Sequence, residues 1–282
     1  MPPADAHRRC QPSSDHFEAD TRHEELHAVS ARRCGYPMAV PNLLERLVTA
    51  ASWPFGVAWT GWHYMWRILP VHRTNEDGSL DRDLPPPLPV SVELRGVQTP
   101  TDGRGPLLHR RYTVAVADAE IEPHELIARL AAEPDEVAPA WVARFRKTRG
   151  KPGRLSVGDE FLVQMPGPWN GPVRVIDVGA EHFRFATLDG HLEAGQIEWR
   201  AWKDDHLRFA VESWARPGDR LSALLHDRLP MAKEVQLYMW TSLLERGARF
   251  AGGRPLDGID VLTRIVPAET LEIVGDERLA AS

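Results

Sequence analysis

The sequence predicts an α+β fold in which a curved antiparallel sheet wraps a long C-terminal helix. Five strand-like runs, 160–164, 173–178, 182–188, 196–202 and 206–214, follow one another with short turns between them, so neighbours must be antiparallel. Residues 231–250 then carry Val235, Tyr238, Met239 and Leu243 at helical spacing, with no helix breaker before Gly247. An antiparallel sheet needs one covered face, and this last helix is the element available to cover it. A cavity between the two is the expected consequence.

Composition sets the class. The chain has 282 residues, 43% hydrophobic and 26% charged, in the ordinary globular range. A net charge of −6 and an isoelectric point near 6.1 provide no basic field for nucleic acid, so no nucleic-acid partner is expected. Cys10 and Cys34, the two cysteines, lie in a polar leader, as in a reducing compartment, and no secretory signal follows the N-terminal basic pair. The expected location is the cytoplasm. Tryptophan is the anomaly: ten Trp stand against four Tyr and eight Phe.

Residues 1–42 are polar and aperiodic and read as a disordered leader. Within it, His23-Glu24-Glu25-Leu26-His27 matches the zinc-protease pattern, but no apolar helix surrounds it and no third ligand follows, so no metal is expected. Residues 43–73 form a Trp-rich apolar helical segment holding Trp53, Trp59, Trp62 and Trp66. Its uncharged part, 47–66, has the ~20-residue length of a spanning helix. Pro54, His63 and the interfacial preference of Trp favour a helix docked on the domain, with a membrane-surface helix over 43–71 as the alternative. Residues 74–106, with Pro85-Pro86-Pro87-Leu88-Pro89, read as a semi-rigid linker in which Val90, Val92 and Leu94 alternate like an edge strand.

The main domain is expected over 107–253. Residues 111–117 alternate as a strand, and Ile121-Glu122-Pro123-His124-Glu125 opens a helix with Pro at an early position and an apolar stripe of Leu126, Ile127 and Leu130. A second helix is expected through Trp141, Val142 and Phe145. A three-residue loop at 203–205 would pair Ala201 with Leu207, Trp199 with Phe209 and Ile197 with Val211 on one face. Trp202 and Trp214 then face the other way. A tight Asp189-Gly190 turn would put Phe183 and Phe185 on the wrong face, and a wider loop or bulge across 191–195 restores them. Residues 254–282 read as a tail whose 259–262 run could add an edge strand.

The runs Thr187-Leu188-Asp189-Gly190-His191-Leu192-Glu193-Ala194-Gly195 and Glu212-Ser213-Trp214-Ala215-Arg216-Pro217, with Ala232-Lys233-Glu234-Val235-Gln236-Leu237-Tyr238-Met239-Trp240, carry a resemblance over roughly 107–253. They resemble a bacterial and plant domain-of-unknown-function family with a T-L-x-G-H-x-E-x-G motif. That family is similar in element order to the helix-grip superfamily of START, polyketide-cyclase-like and pollen-allergen-like domains. The resemblance implies an apolar cavity used for ligand binding, for cyclisation or dehydration, or for partner regulation.

A small apolar or amphipathic ligand is therefore expected between sheet and helix, lined by Phe183, Phe185, Trp199, Phe209, Tyr238 and Met239. Trp169, on the Gly/Pro-rich loop between Pro168 and Asn170, is the candidate at its mouth. His191 and Glu193 are candidates for an acid–base pair of a cyclase, dehydratase or hydrolase, against the plainer role of turn residues. No P-loop, dinucleotide fingerprint or nucleophile elbow is present, and no cofactor is expected.

Overall fold

The computed structural model describes residues 69–138, 143–164, 170–218 and 230–271. Among them ten strands form one sheet: β1 (Val71–Asp77), β2 (Val97–Gln98), β3 (Leu107–Ala117), β4 (Arg144–Arg149), β5 (Glu160–Gln164), β6 (Asn170–Val178), β7 (His182–Leu188), β8 (Glu193–Lys203), β9 (Leu207–Pro217) and β10 (Arg254–Val266). The strand order is β1-β10-β3-β9-β8-β7-β6-β5-β4, with β2 added on β7. Every pair is antiparallel except β1 with β10. The described α-helices are α1 (Leu80–Asp83), α2 (Pro123–Ala132) and α3 (Pro230–Phe250), with 3-10 turns at Pro100–Asp102 and Pro134–Glu136. The α+β class read from the sequence, a mostly antiparallel sheet with a long C-terminal helix, is the one observed.

Several expectations change in detail. Phe145 lies in strand β4, not in a second helix. Its ring is buried between exposed Arg144 and Arg146, a period of two, and it meets Trp199 edge-on at 5.7 Å. Residues 139–142, including Trp141 and Val142, are outside the described residues. Residues 90–94 are not a strand, and the short strand is β2, which pairs with Thr187 and Leu188 beyond the last β7–β8 pair. The 74–106 stretch does not run free. Gln196 Nε2 donates to the Pro86 carbonyl at 3.2 Å, and Arg174 Nη1 donates to those of Glu93 and Arg95 at 2.6 and 2.9 Å. These contacts strap it to the outer sheet face, satisfying backbone groups that a free linker would leave to water. The tail likewise supplies β10, which sits between β1 and β3 and is not an edge.

Registers differ from expectation by an even step. Lys203 pairs with Leu207, Ala201 with Phe209 and Trp199 with Val211, because the loop is 204–206. A two-residue shift leaves each side chain on its face, so the inward set survives. On the other hairpin the wider connection is present: β8 begins at Glu193, and Phe183 faces Trp199 while Phe185 faces Ile197.

The inner face is built of cross-strand rows. One contains Val71, Ile259, Val114, Phe209 and Ala201, and is wholly apolar. The next contains Arg73, Val261, Tyr112, Val211, Trp199 and Phe183. The third contains Asn75, Thr263, Arg110, Ser213, Ile197, Phe185 and Val175, polar on the β1 side and apolar towards β6. α3 lies against this face with Gln236, Trp240, Leu244 and Gly247 at helical spacing. Trp240 meets Trp199 edge-on at 6.4 Å, and Gly247 sits over Phe209. A Cβ at Gly247 would stand 2.7 Å from Phe209 Cε1. Gly247→Val is expected to lower stability by about 1–3 kcal/mol through overpacking, read as a shift in the urea midpoint.

On the outer face His109 holds two carboxylates. Its Nδ1 lies 2.7 Å from Asp83 Oδ1 and its Nε2 2.7 Å from Glu212 Oε1, while the Trp214 indole stacks on the ring at 5.1 Å. Trp214 thus faces outward as expected, but it is buried there with Leu107 and Val266.

Candidate functional site

The polar side chains of the inner face converge under the first turns of α3. Arg110 donates from Nη1 to Gln236 Oε1 at 2.6 Å, and its charge acts on the Tyr112 hydroxyl. The Gln236 amide group reaches the Glu193 carboxylate at 3.3 and 3.4 Å. Gln236 therefore links β3 to β8 across the intervening β9, where Ser213 and Ala215 present only small side chains. Arg73, on β1, pairs with Glu234 at 3.0 Å beside this cluster. Sequence alternation explains the convergence: Arg110 and Tyr112 share a strand face with buried Val114 and Val116, so a core-facing strand carries its polar pair inward at one end.

Burial acts on these groups. Tyr112 is almost fully buried, and loss of water raises its hydroxyl above the usual tyrosine range, against the opposing pull of Arg110. Its proton is thus retained for donation. One turn of α3 beyond Gln236, the Trp240 indole Nε1–H is buried with no hydrogen-bond partner among the described residues. An unmade buried donor costs ~1–3 kcal/mol unless a ligand or water accepts from it.

The sequence-derived candidates separate into groups. Phe183, Phe185, Trp199 and Phe209 are fully buried and fill space against one another, with Phe183–Phe185 at 5.5 Å and Phe183–Trp199 at 5.2 Å between ring centroids. They form the apolar wall beside the polar cluster. Tyr238 and Met239 are buried in the same core cluster, as are Leu237 and Trp240, because α3 is enclosed around its circumference over 237–241. Trp169 lies outside the described residues, as does the His-Glu-x-x-His run.

His191 and Glu193 are adjacent in the hairpin but do not share a side-chain hydrogen bond. His191 Nδ1 lies 2.9 Å from the Glu193 backbone nitrogen and 3.0 Å from the Glu193 carbonyl oxygen, so it accepts from the N–H in one tautomer and donates to the carbonyl in the other. The Nε2–Cδ2 edge of the imidazole packs on Gly171, where a Cβ would stand 2.6 Å from Nε2. Enclosure lowers the pKa of His191 by disfavouring its cation, and the nearby Glu193 charge opposes this more weakly. His191 thus contacts the Glu193 backbone, while the Glu193 carboxylate belongs to the inner-face cluster.

Arg110, Tyr112, Gln236 and Trp240 were not identified from sequence as site residues. The available signals were the period-two placement of Arg110 with Tyr112 and the i,i+4 placement of Gln236 with Trp240. Neither indicates that strand and helix meet. Among the described residues no group of three or more His, Cys, Asp or Glu is placed to hold a metal ion, and no helix is long and apolar enough to cross a membrane. The Trp-rich stretch 43–68 lies outside them.

No family model and no curated protein matches the chain. Solved structures similar to it include the di-domain aromatase/cyclase StfQ of the steffimycin biosynthetic pathway, at 13% identity over 54% of this chain and 52% of that one, with a TM-score of 0.40. The chain thus spans about half the length of StfQ. Norcoclaurine synthase from Thalictrum flavum, in complex with dopamine and hydroxybenzaldehyde, is similar at 11% identity over 54% of this chain and 89% of that one, with a TM-score of 0.37. Major latex-like protein 151 from Panax ginseng is similar at 11% identity over 47% and 98%, with a TM-score of 0.30.

Proposed function

We propose that the protein binds a small amphipathic molecule between the inner sheet face and α3, with its apolar body on the aromatic wall and its polar end at Arg110, Tyr112, Glu193 and Gln236. The observation that carries this reading is the unpartnered Trp240 Nε1–H, a buried donor one helical turn from Gln236 and against the Trp199 ring. A ligand oxygen accepting from it would remove its desolvation cost, and the aromatic rings supply apolar area. Trp169, outside the described residues, remains a candidate contact at the mouth.

Native mass spectrometry of the purified full chain tests this. The expected result is a small-molecule adduct that denaturing extraction releases, reduced by Arg110→Leu and by Trp240→Phe. Trp240→Phe keeps an aromatic ring and removes only the donor and one ring's worth of area. Loss of one buried hydrogen bond should weaken retention about five- to tenfold. Adduct-free protein that also fails to bind any amphipathic probe would overturn the reading.

A second reading, acid–base chemistry of the cyclase or dehydratase type, is favoured by one feature. Tyr112, a retained proton donor, lies within reach of the Glu193 charge, which would pair a donor for a carbonyl oxygen with a base for an adjacent C–H. In this reading Glu193 acts on the ligand and His191 holds it in place. Turnover of a bound carbonyl compound that is lost in Glu193→Gln, with binding kept, would distinguish catalysis from binding.

A further inference from the structure

We infer that the ligand of this site is uncharged at its polar end, a phenol, alcohol or ketone, and not a carboxylate or phosphate. The inference rests on the binding site proposed above and deepens it. Arg110 and Glu193 gather at the polar end among the described residues, with the exposed pair Arg73 and Glu234 at its rim. The two cations and two carboxylates balance, and each is already engaged. Arg73 is held by Glu234, and Arg110 is linked to Glu193 through the Gln236 amide.

Among the described residues, an entering anion would meet no surplus positive charge. It would either lie beside the Glu193 carboxylate or have to displace Gln236 from Arg110, and burying an unpaired charge is far costlier than burying a hydrogen-bonded neutral group. A neutral hydroxyl or carbonyl fits what remains. Tyr112, whose hydroxyl stays protonated, and the Trp240 Nε1–H are donors, and the Glu193 carboxylate accepts from a hydroxyl. His191 adds no charge, since enclosure keeps its imidazole neutral. The aromatic rows beside the cluster match a flat apolar body.

The test is isothermal titration calorimetry of the full chain at neutral pH with two probes of one shape, 2-naphthol and 2-naphthoate. The expected result is that 2-naphthol binds at least about tenfold more tightly. In Glu193→Gln, which removes one negative charge and keeps the shape, 2-naphthoate should gain and the gap should narrow to within about threefold. Arg110→Gln moves the balance the other way and should widen the gap, so one of the two variants suffices should the other fold poorly. Equal or tighter binding of 2-naphthoate by the unaltered protein would overturn the inference while leaving the site itself standing. Failure of both probes to bind would sink the site and the inference together.

Discussion

Trp199→Ala is expected to lower the unfolding free energy by about 3–5 kcal/mol, the range for removing a large buried aromatic from a packed core. Trp199 is fully buried at the centre of the inner face, where its ring meets Phe145, Phe183, Phe209 and Trp240. Four rings from β4, β7, β9 and α3 lose a common neighbour at once, and strands so distant in sequence have no local way to close the void. Trp202→Ala, three residues on, should cost about 1 kcal/mol or less, since that ring is half-exposed on the outer face and offers a cation–π contact to Arg200 at 4.9 Å. Urea denaturation of both variants measures the contrast. Similar losses would show that the two faces of β8 are not distinguished as described.

His109→Leu is the second large effect, with an expected loss of about 3–5 kcal/mol from breaking a buried ionic group. The imidazole bridges Asp83 of α1 and Glu212 of β9, and both carboxylates are buried. Without it they face one another across an apolar side chain. The remaining cations are more distant: Arg264 lies 3.7 Å and Arg82 3.5 Å from Asp83, and Arg200 lies 4.0 Å from Glu212. The first structure to loosen should be the α1 turn, where the Ser79 N–H donates to Asp83 Oδ2 at 2.7 Å. Hydrogen exchange at 79–84 reads that directly.

The same cluster sets an acid limb. Burial alone would raise Asp83, but the Ser79 N–H, the hydrogen bond and charge of His109, and the charge of Arg264 together hold it below the ordinary aspartate value. A carboxylate depressed in the folded state adds stability that is complete above its unfolded value of ~3.9 and declines as pH falls through the lower folded value. In His109→Leu the two His109 contributions disappear, so Asp83 should titrate closer to its unfolded value, and the part of the acid decline that comes from this carboxylate should shrink while its onset stays near ~3.9. Denaturation midpoints taken from neutral pH downward check both the direction and the window.

Much of this architecture was legible in the chain. The strands at 160–164 and 182–188 and the long final helix follow from alternation, from breaker-free helical spacing and from turn residues, which act within a few residues of one another. The inward set of Trp199, Phe209 and Val211 was also legible, because side-chain parity survives an error of two in register. Phe145 was not, since Trp141, Val142 and Phe145 fit a helical stripe and only Val163 opposite it on β5 selects the strand. The strap over 79–98 looked like a linker because its anchors, Gln196 and Arg174, lie about a hundred residues away.

The candidate site divides in the same way. Glu193 was visible as a carboxylate beside a histidine in a hairpin, and sequence alone determined that adjacency and the aromatic character of the neighbouring face. Only the tertiary structure decided that His191 meets the Glu193 backbone and not its carboxylate, that Gln236 lies between Arg110 and the Glu193 carboxylate, and that Trp240 turns its indole towards Trp199. The physical reason is range. Periodicity and turn chemistry are set by neighbours along the chain, whereas a site shared by β3, β8 and α3 exists only after strand order and helix docking bring distant segments together.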